Sequence, residues 1–237
     1  SLDLTAANAI DRVEILKDNI LEKMVVHSGT WERAPLPERF AFKFELEFGW
    51  GPETRISPAA AEKLWQGRLE VPGRILSVEK LWNTFGQQIV EQQERSCEFR
   101  LTTHRGTESG KWMGPSQVRR ESLVFEVEGG IDDVLQLTVD GERYELPVRQ
   151  MLQGTRIYAQ YRQSEARITE KFGPTPHYRD DFIWHCAFKF RVRRAAPAAA
   201  YRLQYRQPLE LEPGSQYRLR VWLKNGDAAW VSPFFCR

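Results

Sequence analysis

"YRLRVWLKNGDAAWVSPFF", from Tyr217 to Phe235, decides the fold class. Leu219, Val221 and Leu223 alternate with Arg218, Arg220, Trp222 and Lys224, the period of two of a strand with one buried face. Asn225-Gly226 suits the positive φ of a tight type I′ turn, and Ala229, Val231 and Phe234-Phe235 return along a second strand. Pro233 cannot donate to a ladder, which puts that strand at an edge or a bulge.

The rest of the chain keeps this rhythm. "FAFKFELEF" (40–48) sets Phe40, Phe42, Phe44, Leu46 and Phe48 on one face. "GRLEVPGRILSVEKLW" gives strands on either side of Pro72-Gly73, and "CEFRLTTHR", "SLVFEVEGG", "DVLQLTVDGERYELPV" and "TRIYAQY" follow, with Asp140-Gly141 as a hairpin turn. "FIWHCAFKFRV" (182–192) reads as a further alternating strand, and "YRLQY" as a short one. "AAPAAA" reads as a connector that Pro197 interrupts. Short strands separated by Gly, Pro, Asn and Asp predict an all-β protein of two sandwich modules, with antiparallel sheets and at most short helices. Residues 5–24 fit either a helix capped by Thr5 or a hairpin around Asp18-Asn19; the surrounding β pattern favours the hairpin. "SPAAAEKLW" (57–65) allows a short helix, with Ser followed by Pro at its start.

With 237 residues, 41% hydrophobic and 28% charged, the chain can bury a substantial core. A net charge of +2 gives no global argument for nucleic acid or membrane, and no apolar run is long enough for a membrane-spanning helix. Cys97, Cys186 and Cys236 form no CxxC and stand at no zinc spacing with His, so they read as buried thiols. Eight basic side chains in residues 187–220 face only Glu210 and Glu212, and eight acidic ones in 121–145 face only Arg143. These read as solvated or inter-domain faces; no aromatic-basic signature of an RNA-binding fold accompanies them. A start at Ser1 without Met and a finish on a final strand read as a piece of a larger polypeptide.

Two segments carry a family resemblance. "IDRVEILKDN" is similar to the "IDRVEVIRNG" strand, and the 217–235 segment to the "YYVRVxQxxGxxAWSSPIW" ending, of PHP-like (polymerase-and-histidinol-phosphatase-type) bacterial metallohydrolases of unassigned function. "FGWG" (48–51) with "LWQGRLEVPGRI" resembles a β-insert between them. The resemblance places this chain in the β-rich C-terminal region of such proteins, outside the metal site. The family's His-rich metal motifs have no counterpart here, so no catalytic residue and no cofactor carries over. It implies an Ig-like sandwich from residues 1–30 plus 180–237, with 31–179 inserted as a second β-domain; two sandwiches in series is the competing plan. The implied role is that of a non-catalytic accessory region, packing against or presenting substrate to a hydrolase domain in cis.

Candidate ligand residues are few. Trp65, Trp82 and Trp112, with Asn83, have the ring faces and hydrogen bonders that stack on and hold sugars, which makes carbohydrate binding the alternative function; core filling is the plainer reading of these rings. "HYRDDFIWH" gathers His177, Asp180, Asp181 and His185 as a weak polar cluster suited to a metal or an acid/base pair, set against a solvated loop. No Gly-x-Ser-x-Gly elbow supports a serine nucleophile.

Overall fold

The computed structural model describes residues 1–52, 57, 61–81, 87–105, 118–174, 181–206, 208 and 210–236. In chain order the elements begin β1 (Leu2–Thr5), β2 (Ile10–Lys17), β3 (Ile20–Val26), β4 (Arg39–Trp50), β5 (Glu62–Glu70), β6 (Arg74–Leu81) and β7 (Gln88–Gln92). There follow β8 (Ser96–Arg105), β9 (Val118–Arg119), β10 (Glu121–Gly130), β11 (Val134–Val139), β12 (Glu142–Pro147), α1 (Val148–Gln153), β13 (Arg156–Ala159), α2 (Tyr161–Phe172), α3 (Asp181–Cys186) and β14 (Lys189–Val192). The last are β15 (Ala196–Pro197), α4 (Ala198–Tyr201), β16 (Arg202–Tyr205), β17 (Gln216–Leu223), β18 (Ala228–Trp230) and β19 (Phe234–Phe235). The protein is all-β, its strand pairings antiparallel, and its helices among the described residues are four to twelve residues long.

The chain divides into two compact units, Ser1–Lys43 with Ala196–Arg237, and Phe44–Ala195. Residues 181–195, which the resemblance groups with the outer module, fall in the second unit; β14 pairs there with β13 and β4.

In the first unit, β18, β17, β2 and β3 lie side by side, β19 also pairs with β17, and β1 pairs with β16. Ile10, Val13 and Val221 form the buried centre, with Leu2, Leu4, Leu203, Leu219 and Leu223 packed against it. The β2–β3 hairpin is the outcome at the ambiguous N-terminus. Asp18 (φ 49°) and Asn19 (φ 67°) both take the left-handed region that a type I′ turn requires. The turn at Asn225-Gly226 is built differently from the type I′ expectation. Gly226 N–H donates to the Leu223 carbonyl (3.0 Å) and only Gly226 has positive φ (94°), while Asn225 Oδ1 accepts from the Asp227 N–H at 3.1 Å. A turn over Lys224-Asn225 followed by a left-handed glycine replaces the two-residue loop.

In the second unit, β13, β14, β4, β10 and β6 form one sheet, and β12, β11, β5, β8 and β7 form the other, with β9 on β8. Their facing sides meet through rings: Phe48 lies 5.1 Å from Trp65 and 5.9 Å from Phe99, and Phe99 lies 6.0 Å from Phe125. Strand β5 takes up residues 62–66 of the segment in which the sequence allows a short helix, and residues 58–60 lie outside the described residues.

Two local readings are corrected. Residues 182–186 are helical rather than extended, because Ile183 and Cys186, three apart, both pack on Ile168 of α2, and the Ser164 hydroxyl donates to the Ile183 carbonyl at 2.8 Å. Pro197 does not interrupt a connector. It stands just before the single turn α4, where its fixed φ (−66°) is compatible with a helix start.

Candidate functional site

The β5 strand puts Trp65 and Leu69 inward, both fully buried, and therefore turns Gln66 and Arg68 outward. On β8, Phe99 and Leu101 point inward and Glu98 and Arg100 outward. The register then builds two polar rows across the outer face. Thr138, Arg68 and Glu98 stand opposite one another in turn, as do Gln66, Arg100 and Gln88. Over them runs an open groove of about 460 Å³, lined also by Val90, Asp140 and Gly141.

The groove's charges differ in commitment. Arg68 is held by Glu98 (2.5 Å) and Glu70 (3.1 Å). Arg100 has no ion-pair partner among the described residues. Asp140 closes one end from a type I′ turn with Gly141 (φ 48° and 85°). Its Oδ1 accepts from the Gln66 N–H (3.0 Å), and its Oδ2 from Lys63 Nζ (2.7 Å) and Gln160 Nε2 (2.9 Å). A carboxylate so occupied fixes the groove's end and is poorly placed to serve as a base.

Trp65, a candidate for sugar stacking, has no exposed face. It is 0% accessible, its indole N–H donates to Thr103 Oγ1 at 2.8 Å, and Phe48, Phe188 and the Lys63 ammonium surround its ring. This corrects its assignment as a ligand platform. Trp82, Asn83, Trp112, His177 and Asp180 lie outside the described residues. Asp181 begins α3 and the exposed His185 sits in its last turn, so a helix, rather than a strand, separates them.

The other concentration of charge surrounds strand β4, which is buried on both sides. Glu47, 3% exposed, accepts from Arg191 (2.6 Å) and Arg193 (2.9 Å), and Arg120 lies 3.4 Å away. Arg193 also reaches Glu45 (3.2 Å), and the Trp50 ring lies beneath Arg120 (4.9 Å) and Arg191 (4.8 Å). Part of the basic stretch seen in the sequence is therefore spent on two buried glutamates. Among the described residues, no three His, Cys, Asp or Glu side chains converge as a metal-holding group.

Sequence reasoning missed the groove residues Arg68, Arg100 and Thr138. Alternation around Trp65 and Phe99 contains the signal that 66, 68, 98 and 100 face outward. The register that lines them up across three strands does not appear in a single strand's pattern. Compared with known protein families, curated proteins and solved structures, the chain matches none.

Proposed function

We propose that this chain is a non-catalytic accessory β-region that holds an extended, hydroxyl-rich ligand, an oligosaccharide, in the groove across β11, β5, β8 and β7. The observation that carries this reading is the uncommitted polar row Gln66–Arg100–Gln88 on a sheet face with an open volume of about 460 Å³. That volume falls within the ~300–1,000 Å³ of small-molecule sites. Two amides and a guanidinium supply donors and acceptors at spacings fixed by the sheet, which favours hydroxyls over a single strong charge. The buried glutamates Glu14 and Glu47 are each held by guanidiniums, which supports a structural use for them over acid–base chemistry.

In this reading the first unit is the Ig-like module. The resemblance to PHP-like metallohydrolases supplies the partner, a metal-dependent hydrolase domain in cis to which the ligand is presented. Calorimetric titration of the purified chain against a panel of neutral and uronate oligosaccharides tests the binding. At least one ligand binds, and Arg100→Ala or Gln66→Ala weakens it about five-fold or more while leaving the melting temperature unchanged. A flat panel, or variants that bind as well as the parent, defeats the reading. For the cis partner, the reading frame encodes His-rich metal motifs upstream of residue 1; their absence removes that part alone.

A further inference from the structure

A second surface, in the first unit, has different chemistry. Register places Met24 opposite Glu14 and Val26 opposite Arg12. Across β2, Leu16 faces Arg218, Glu14 faces Arg220 and Arg12 faces Trp222; Trp230 of β18 then faces Arg220. All of these side chains stand on the outer side of the sheet, since Leu219, Val221 and Val13 belong to the core on the other side.

On this face Trp222 lies between Arg12 (5.1 Å) and Arg220 (5.3 Å) and meets Trp230 edge-on at 6.4 Å. Glu14 takes hydrogen bonds from Arg12 (2.7 Å) and Arg220 (2.5 Å), and so fixes both guanidiniums. Arg218 is the exception. Its Nε is shut off from solvent without a hydrogen-bond partner, and it has no ion-pair partner among the described residues. On the two flanks, Trp230 is 60% exposed and Met24 and Val26 about half exposed.

We propose that this face docks an acidic protein segment that carries apolar side chains between its carboxylates. Three guanidiniums stand here against Glu14 and, at the margin, Asp11, which leaves the half-buried Arg218 to receive a carboxylate from outside at its terminal nitrogens, its Nε being enclosed. Trp, Arg and Met are the residue types enriched where protein surfaces meet. The aliphatic flank favours a protein partner over a charged polysaccharide, whose rings gain little from Met24 and Val26. Four strands at ~4.8 Å and eight residues at ~3.4 Å give at most roughly 500 Å², about two-thirds of one side of a standard interface, so the docking is weak or tethered.

The test uses the full chain and two synthetic peptides, acetyl-(Glu-Glu-Tyr)₄-amide and acetyl-(Glu-Glu-Gly)₄-amide, with heparin as a third probe, followed by nuclear magnetic resonance titration. The tyrosine peptide binds, shifting residues of β17 and β18, and the glycine peptide binds about ten-fold more weakly. Trp230→Ala and Arg218→Ala each weaken the tyrosine peptide about five-fold or more. A thermal melt of each variant verifies its fold, and two independent positions keep the test decisive if one variant is unstable. Equal binding of both peptides, tighter binding of heparin, or indifference to both substitutions overturns the proposal.

Discussion

Replacing Gly67 with Ala probes how tightly the second unit is packed. Gly67 stands directly opposite Phe99 in the β5–β8 register, and the Phe99 ring leans across it. A Cβ built on Gly67 meets three ring carbons at 2.1, 2.5 and 2.8 Å, where carbon atoms ordinarily stay ~3.5–4.0 Å apart. The ring would have to retreat by roughly 1–1.5 Å. It has nowhere to go: Phe99 is 1% exposed and is hemmed in by Phe48 and Phe125. Overpacking of this kind costs ~1–3 kcal/mol, and full displacement of the ring approaches the ~3–5 kcal/mol of a Phe deletion. Against this, the lost flexibility of the unfolded glycine returns ~0.4–1 kcal/mol. The expected net destabilisation is about 2–3 kcal/mol, and the melting temperature drops by roughly 4–12 °C. Urea unfolding followed by tryptophan fluorescence measures it, because Trp65 reports on the same core. Gly154→Ala is the control: nothing lies within 4 Å of its Cβ position, and stability should stay within ~0.5 kcal/mol. Gly67→Ala combined with Phe99→Leu should cost less than the sum of the two single changes. A Gly67→Ala protein as stable as the parent, or strictly additive energies, would refute the reasoning.

Glu47→Ala leaves Arg191 without its buried counter-charge and Arg193 with Glu45 alone, and a loss of about 3 kcal/mol is expected by urea unfolding. In the first unit, hydrogen bonds from Ser28 and Arg12 hold Asp11 below the ordinary carboxylate range. For Glu14, burial pulls upward but is outweighed by hydrogen bonds from Arg12 and Arg220, so its net direction is also down. Groups lowered by folding contribute stability that is complete above the ordinary carboxylate pKa, ~4, and is lost as pH falls through their depressed values. The urea midpoint of the parent should therefore fall between about pH 5 and pH 2, and Glu14→Gln should flatten that slope. Burial pushes the Cys97 thiol up to about 11 and raises Cys186 as well, whereas Cys236 is partly exposed. Brief iodoacetamide treatment at pH 8, read by peptide mass spectrometry, should label Cys236 first; fast labelling of Cys97 contradicts its placement.

The strands were legible because a period of two survives wherever one face of a strand is apolar and the other polar in sequence, as in Leu219-Val221-Leu223 and in Phe40 to Phe48. Asp18-Asn19 and Asp140-Gly141 advertised their turns through residues that tolerate positive φ. The segment 182–186 was misread because five apolar-rich residues fit a strand and a helix equally well, and its partner Ile168 lies in a helix whose buried side is only Ser164 and Ile168. Glu45 and Glu47 looked like the wet side of β4; their burial depends on guanidiniums from β14 and from Arg120, which no local pattern reveals. The groove escaped notice for a related reason, since its rows exist only once β11, β5, β8 and β7 are set in register.

The first unit joins the two ends of the chain: Val13 of β2 lies against Val221 of β17, more than two hundred positions later. During synthesis, all of residues 44–195 leaves the ribosome before β17 exists, so the second unit can consolidate while β2 and β3 wait as an unsupported hairpin. Ile10 and Val13 stay wet through that interval, and closure of a loop this long makes the first unit the slower one to mature.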